Sequence, residues 1–174
     1  QSMNANLGHK HPYMVDKLKR QLDALPHAAP AFATALRAEV SQALSATLPD
    51  TLNKILYCLG GAEANENAFR AARMYTGKQK IISNFRSYHG ATAGAIAATG
   101  DPRRWANEPS PPGFIHVLGL QPYHYNFGDA DQRVDAHLRY LEEVIRGEGS
   151  QTIAAMIIEP VVGTNGVLFP PKGY

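Results

Sequence analysis

Apolar residues recur with helical spacing in the first part of the chain. Two sets of apolar positions are separated by Pro26 and Pro30: Met14, Leu18, Leu22 and Leu25, and then Phe32, Leu36, Val40, Ala43 and Leu48. Steps of mostly three or four residues, with charged residues between them, are typical of one face of an amphipathic helix. The pattern predicts two helices, each with one buried apolar stripe.

Short apolar runs alternate with further helical patterns in the rest of the chain. Four runs have the continuous apolar character of strands that are buried on both faces; they span residues 55–59, 80–83, 114–118 and 153–158. Three helical segments, residues 62–76, 91–99 and 131–146, lie between them, with a polar, proline-rich surface loop at residues 101–113. This alternation predicts an α/β fold, a three-layer sandwich with a mostly parallel sheet.

Composition narrows the class of protein. The formal net charge is +2 and the basic residues are scattered, so nucleic acid and membrane surfaces are not expected as partners. The one cysteine, Cys58, lies in an apolar run, which excludes a disulfide within the chain and favours a reducing, cytoplasmic compartment. The seven histidines show no metal-ligand spacing, so no metal site is expected.

The first residues of the chain and the lengths of its apolar runs define which residues we expect to fold together. Gln1 and Ser2 directly precede Met3, and we interpret them as the remnant of an expression tag, so that residues 3–174 form the domain. The apolar runs are all shorter than the ~20 residues that a membrane-spanning helix requires. We therefore expect a globular chain that buries one core.

A glycine turn at residues 60–63 connects a predicted strand to a predicted helix. Such a turn exposes unpaired backbone N–H groups at the positive end of the helix dipole, where a phosphate group binds. The sequence has neither a Walker loop nor a Rossmann fingerprint at this point. Gly61 and Ala62 are therefore candidates for anion binding, and a plain tight turn is the alternative.

Two more candidates follow predicted strands. Tyr88 lies beyond the second strand, at the sheet edge where α/β folds bind ligands, and its ring either stacks on a planar cofactor or packs in the core. Glu159 ends the fourth strand and either orients a cofactor or substrate amine, or caps N–H groups of a neighbouring loop. Glu63 and Glu66 are spaced like an acid–base pair, but for Glu66 we prefer an interaction with the dipole of its own helix.

The order and spacing of these segments resemble the class III aminotransferases of the type I pyridoxal-phosphate fold. The matching segments begin at Asn6 and include GGAEANENAFRAARMYTGKQKII, SYHGATAGAIAATGDPRRW and IIEPVVGTNGVLFPPKGY. The resemblance implies part of the large, cofactor-binding domain. It also implies an enzyme that uses pyridoxal 5′-phosphate to transfer an amino group from an ω-amino acid or amine to a keto acid such as pyruvate, as a homodimer or higher homo-oligomer.

The resemblance also implies roles for matched positions. The backbone at Gly61 and Ala62 would hold the cofactor phosphate, and Tyr88 would stack on the pyridine ring. His89 would lie beside that ring, and Glu159 near the phenolic oxygen of the cofactor and the substrate amine. The loop at residues 101–113 would help to form the substrate entrance or the dimer interface. At Gly60 the family usually has a serine, so one hydroxyl near the phosphate is missing.

The resemblance further implies a central fragment. An N-terminal substrate-binding segment, the Asp that pairs with the pyridinium nitrogen and the Lys that forms the Schiff base have no counterpart in these residues. We therefore assign no catalytic residue and expect the chain alone to be inactive and to self-associate. Two other interpretations stay open: a non-catalytic module that binds a phosphorylated ligand, and a remnant without any ligand.

Overall fold

The computed structural model describes residues 5–119 and 132–174. The chain divides into two compact units, Gln1–Tyr57 and Cys58–Tyr174. The interpretation of Gln1 and Ser2 as a tag remnant and the predicted helix start at Asp131 lie outside the described residues. None of the helices in the described part of the chain is both long and apolar enough to cross a membrane.

The first unit contains two helices, α1 at Pro12–Ala24 and α2 at Ala35–Ser45. Pro12 occupies the first turn of α1, where its missing N–H costs nothing, and Thr34 caps α2 by accepting a hydrogen bond from the N–H of Arg37. Both predicted helices are thus confirmed. The prediction that their apolar stripes are buried is wrong, because Leu18 and Leu22 are 59% and 62% exposed. Within the described residues of this unit, the apolar faces stay open.

The second unit alternates helices and strands. Its elements are α3 at Gly61–Thr76, β1 at Lys80–Asn84, α4 at Ala93–Ala98, β2 at Phe114–Val117, α5 at Arg133–Glu148 and β3 at Ile153–Ile157. Two short 3₁₀ helices lie at Pro102–Asn107 and Ser150–Thr152. The first of these corrects one expectation, since Pro102–Asn107 of the proline-rich loop predicted at residues 101–113 is helical.

The three strands form a parallel sheet in the order β2-β1-β3. Ile81 of the central strand β1 pairs with Phe114 on one side and with Ala155 on the other, and it is fully buried. Phe69 of α3 packs on this layer, with its ring centroid 5.5 Å from that of Phe114 in an edge-to-face arrangement. Three of the four continuous apolar runs therefore predicted parallel strands correctly. Only β1 is largely buried as expected, because β2 is mostly half-buried and β3 is half-buried with Met156 37% exposed.

The predicted strand at residues 55–59 is wrong. No strand includes these residues in the described part of the chain, and Leu56 and Leu59 are 67% and 99% exposed. A strand requires a neighbour that accepts and donates ladder hydrogen bonds. The N–H of Leu59 instead donates to Oε2 of Glu63 at 2.8 Å, so this segment leads directly into the first turn of α3.

Candidate functional site

The first turn of α3 is open. Gly60 is the N-cap and adopts an extended conformation, and as a glycine it has no side chain that could cap the first turn. A Cβ atom added at Gly61 would meet nothing within 4 Å in the described part of the chain. The carboxylate of Glu63, the acidic residue of this turn, accepts a hydrogen bond from the backbone N–H of Leu59. The helix therefore presents an open N-terminus beside a residue without a side chain, which suits an anion.

The loop that carries Tyr88 is held against this helix end. Nδ2 of Asn65 donates to the carbonyl of His89 at 2.6 Å. Gly90 has φ +133°, and a Cβ atom there would lie 2.5 Å from Cβ of Ala62 and 2.8 Å from its Cα. Only glycine allows this backbone conformation and this approach. The structure therefore brings Ala62 and the segment 88–90 together.

Glu66 joins α3 to α4. Its Oε1 atom accepts hydrogen bonds from Oγ1 of Thr92 and from the N–H groups of Gly94 and Ala95, at 2.7, 2.7 and 3.0 Å. The carboxylate therefore caps the N-terminus of α4, and its interpretation as a partner of its own helix dipole is corrected. Burial acts to raise the pKa of Glu66, but these hydrogen bonds and the charge of Arg73 outweigh it and hold the pKa below the ordinary 4.5.

We expect Glu66→Gln to lower the free energy of unfolding at pH 7 by about 1 kcal/mol, because neutral hydrogen bonds replace charge-assisted ones in a partly exposed position. Since the folded pKa of Glu66 is lowered, its contribution is present above pH 4.5 and is lost as the pH falls below that value. Urea denaturation between pH 3 and 7 checks this. Glu143→Gln, at an exposed position of α5, is the matched control. An equal loss at all pH values would contradict the expectation.

The carboxylate of Glu159 binds backbone N–H groups of two loops, one after β1 and one after β3. Its Oε1 accepts from the N–H of Tyr88 and its Oε2 from the N–H of Gly163, both at 2.8 Å. These are the hydrogen bonds that the loop-capping interpretation predicts, and the role of Glu159 toward a cofactor or substrate amine stays a prediction. Glu159 also lines a cavity of about 30 Å³ together with Asn84 and Gly119, residues at or just beyond the carboxyl ends of β1 and β2. Ligands bind at this edge in open α/β sheets.

His89 follows Tyr88 in the same loop and is buried, with 6% of its surface exposed. Its backbone N–H donates to Oγ1 of Thr99 at 3.0 Å, and the ring atom Nε2 has no hydrogen-bond partner among the described residues. Burial lowers the pKa of His89; the charge of Glu159 acts to raise it and His116 lowers it further. The imidazole is therefore mainly neutral at neutral pH.

Sequence reasoning missed Asp101 and Arg103. Asp101 is 4% exposed and caps the 3₁₀ helix by accepting from the N–H of Arg103 at 2.9 Å. Burial acts to raise the pKa of Asp101, but its hydrogen bonds to Arg103 and Asn165 outweigh burial and lower it. The order Asp-Pro-Arg, an N-cap followed by proline at the first helical position, is the signal that could have predicted this turn.

The described residues contain no cluster of His, Cys, Asp and Glu that could hold a metal ion. What the structure brings together is an open helix N-terminus, a half-buried tyrosine and a carboxylate at the carboxyl edge of a parallel sheet. Such an arrangement can bind a phosphate group and a planar ring side by side. The structure links Glu159 to Tyr88 by a hydrogen bond, and it links the loop of Tyr88 and His89 to α3 through Asn65 and through the contact of Gly90 with Ala62.

Comparison with known proteins gives consistent matches over the whole chain. A family model described as aminotransferase class-III matches residues 1–174. The acetylornithine aminotransferases of Mycolicibacterium smegmatis and Methanopyrus kandleri are 37% and 36% identical over 169 residues, which is 97% of this chain and 38% of each relative. The chain thus spans about two fifths of the length of these relatives.

Solved structures match equally well. The taurine:2-oxoglutarate aminotransferase of Bifidobacterium kashiwanohense, in complex with PLP and glutamate, is 38% identical with a TM-score of 0.86. An (S)-enantioselective ω-transaminase of Thermomicrobium roseum is also 38% identical, with a TM-score of 0.88. Both matches cover 98% of this chain and 40% of the other. They confirm the predicted α/β fold.

Proposed function

The chain belongs to the class-III aminotransferase family, and from this premise we propose that it forms the phosphate- and ring-binding wall of a pyridoxal 5′-phosphate site. The observation that carries the proposal is the packing of Gly90 against Ala62. It places the loop of Tyr88 beside the open first turn of α3. A phosphorylated aromatic ring needs these two features at neighbouring positions.

Each residue has a defined part in this proposal. The N–H groups of Gly61 and Ala62 bind the phosphate, and the ring of Tyr88 covers one face of the pyridine ring. His89 stays neutral and supports the loop from behind. Glu159 fixes the backbone of Tyr88 and lies on the side of the phenolic oxygen and the substrate amine. When bound, pyridoxal phosphate supplies an electron sink for chemistry at the carbon that bears the amino group.

For the whole protein we propose amino-group transfer from an ω-amino acid or amine to a keto acid. Relatives named for taurine and for acetylornithine support a donor whose reacting amine is distant from its acidic group. We retain pyruvate as the acceptor implied by the resemblance, and 2-oxoglutarate is the alternative named in one solved relative. The resemblance assigns the Schiff-base lysine to a part of the relatives that this chain does not span. A cytoplasmic homodimer or higher homo-oligomer completes the proposal.

The experiment that tests the proposal is a binding titration of this chain. Pyridoxamine 5′-phosphate is the probe, because it has the ring and the phosphate but no aldehyde that could react with surface lysines. Quenching of Trp105, the one tryptophan in the chain, reports binding. We expect this probe to bind more tightly than either inorganic phosphate or pyridoxamine. Equal affinity for inorganic phosphate would support a phosphate-binding module, and no binding of any probe would support a remnant without a ligand.

Gly60→Ser is expected to tighten the binding of pyridoxamine 5′-phosphate about tenfold. Gly60 has φ −168° and ψ 169°, a conformation that any residue adopts, so a serine there can add a hydroxyl donor beside the phosphate. A charge-assisted hydrogen bond of this kind contributes about 1.5 kcal/mol. Gly60→Ala adds a methyl group without the hydroxyl and is the control. If both variants bind like the wild type, the phosphate does not lie at this turn.

A further inference from the structure

A guanidinium group stacks on the ring that we assign to the cofactor wall. Cζ of Arg103 lies 3.8 Å from the centroid of the Tyr88 ring, well within the ~6 Å limit of a cation–π contact. Arginine occupies such positions readily because its planar group is weakly hydrated and packs flat on an aromatic face. One face of the Tyr88 ring is therefore already covered by a residue of the same chain.

Arg103 is itself held in place from two sides. Its Nε donates to both carboxylate oxygens of Asp101 at 3.0 Å, and its Nη2 donates to Oδ2 of Asp101 and to Oγ1 of Thr164. Asp101 is buried and accepts a further hydrogen bond from Nδ2 of Asn165 at 3.1 Å. Because the carboxylate of Asp101 offsets the charge of Arg103, the guanidinium is a poor site for an anionic substrate group. The geometry of Arg103 suits a residue that positions the Tyr88 ring.

The segment that fixes Arg103 also fixes Tyr88. Thr164 and Asn165 lie in the loop after β3, and Gly163 of this loop donates to Oε2 of Glu159. The other oxygen of Glu159 accepts from the N–H of Tyr88. The backbone of Tyr88 and the guanidinium on its ring are thus anchored to the same loop. This arrangement holds the guanidinium against one face of the ring.

We propose that Arg103, clamped by Asp101, is a positioning residue that fixes the plane of the Tyr88 ring and reserves its opposite face for the planar ring of the ligand. This inference rests on the proposed function, because it takes Tyr88 as the residue that stacks on the ligand. Lysine in place of Arg103 keeps the charge but cannot stack flat on the ring and donate two hydrogen bonds to Asp101 together. The phosphate group binds at a different element, α3, and does not depend on Arg103.

The test compares Arg103→Lys with Arg104→Lys. Arg104 is the next residue of the same 3₁₀ helix; its Nε pairs with Glu108 at 3.0 Å and its Cζ lies over Phe85, which makes it a matched control. Calorimetric titration gives the dissociation constants for pyridoxamine 5′-phosphate and inorganic phosphate. For Arg103→Lys we expect about tenfold weaker binding of the first ligand and no change for the second. Arg104→Lys should change neither. Unchanged affinity for pyridoxamine 5′-phosphate in Arg103→Lys would overturn the inference.

A second measurement is independent of ligand binding. The flip rate of the Tyr88 ring, measured by NMR on the free chain with labelled tyrosine, should rise in Arg103→Lys and stay at the wild-type value in Arg104→Lys. An equal flip rate in wild type and Arg103→Lys would show that Arg103 does not fix the ring. If the wild-type chain binds no pyridoxamine 5′-phosphate, the proposed function fails, and the ring-flip rate still decides whether Arg103 positions Tyr88.

Discussion

Gly61→Asp is expected to weaken the binding of pyridoxamine 5′-phosphate by at least about 100-fold. The space beside Gly61 is open in the described part of the chain, so the new side chain enters the volume that we assign to the phosphate. Two negative charges about 4 Å apart near a protein surface repel each other by up to about 4 kcal/mol, which exceeds the roughly 2.7 kcal/mol that a 100-fold loss requires. The fold is retained, because a carboxylate in the first turn of a helix is favourable by about 0.3–1 kcal/mol.

The control for this variant is Gly147→Asp. Gly147 lies in α5, and a Cβ atom there also meets nothing within 4 Å in the described residues. This variant adds the same charge to the chain but leaves α3 unchanged, so we expect wild-type affinity. Calorimetric titration of both variants, with thermal unfolding as a check of the fold, gives the comparison. Wild-type affinity in Gly61→Asp would place the phosphate elsewhere.

Gly90→Ala is expected to lower the free energy of unfolding by about 2–4 kcal/mol and to weaken the binding of pyridoxamine 5′-phosphate. The added methyl group would lie 2.5 Å from Cβ of Ala62 and 3.0 Å from Cβ of Ala95, and it would be held at φ +133°. Overpacking costs about 1–3 kcal/mol, and the positive φ adds to that cost. To relieve the contact the loop must move away from α3, and the ring of Tyr88 moves with it.

Gly77→Ala separates the two causes of this loss. Gly77 ends α3 with φ +69°, and a Cβ atom there meets nothing within 4 Å among the described residues. This variant therefore has the backbone cost without the steric contact, and we expect a loss of about 1 kcal/mol with ligand affinity unchanged. Urea denaturation measures both variants. A loss in Gly90→Ala no larger than that in Gly77→Ala would show that close packing on Ala62 is unimportant.

Local sequence patterns were sufficient to predict the buried strands and the two ends of α3. Ile81 and Val117 lie in short, continuous apolar runs, and both are fully buried in the parallel sheet. The end of α3 at Gly77 followed from the left-handed conformation that glycine adopts after a helix. The first turn of α3 followed from the glycine turn itself. These features depend on residues that are close together in the sequence.

Features that depend on distant partners could not be predicted in this way. The apolar run at residues 55–59 indicated burial but not the neighbouring strand that it would need. Glu66 was placed correctly on its helix, but its partners are Thr92, Gly94 and Ala95 on another element. Arg103 was assigned to a polar surface loop, although it stacks on Tyr88. Spacing along a chain gives the face on which a side chain lies, and the packing of loops then decides what it meets.

The most direct test of the cofactor wall is a crystal structure of this chain with pyridoxamine 5′-phosphate. We expect phosphate oxygens at about 2.9 Å from the backbone nitrogens of Gly61 and Ala62, an ordinary N–H···O distance. The pyridine ring should lie against Tyr88, on the face opposite Arg103. A phosphate bound away from the first turn of α3, or a ring that does not contact Tyr88, would contradict the assignment of this site.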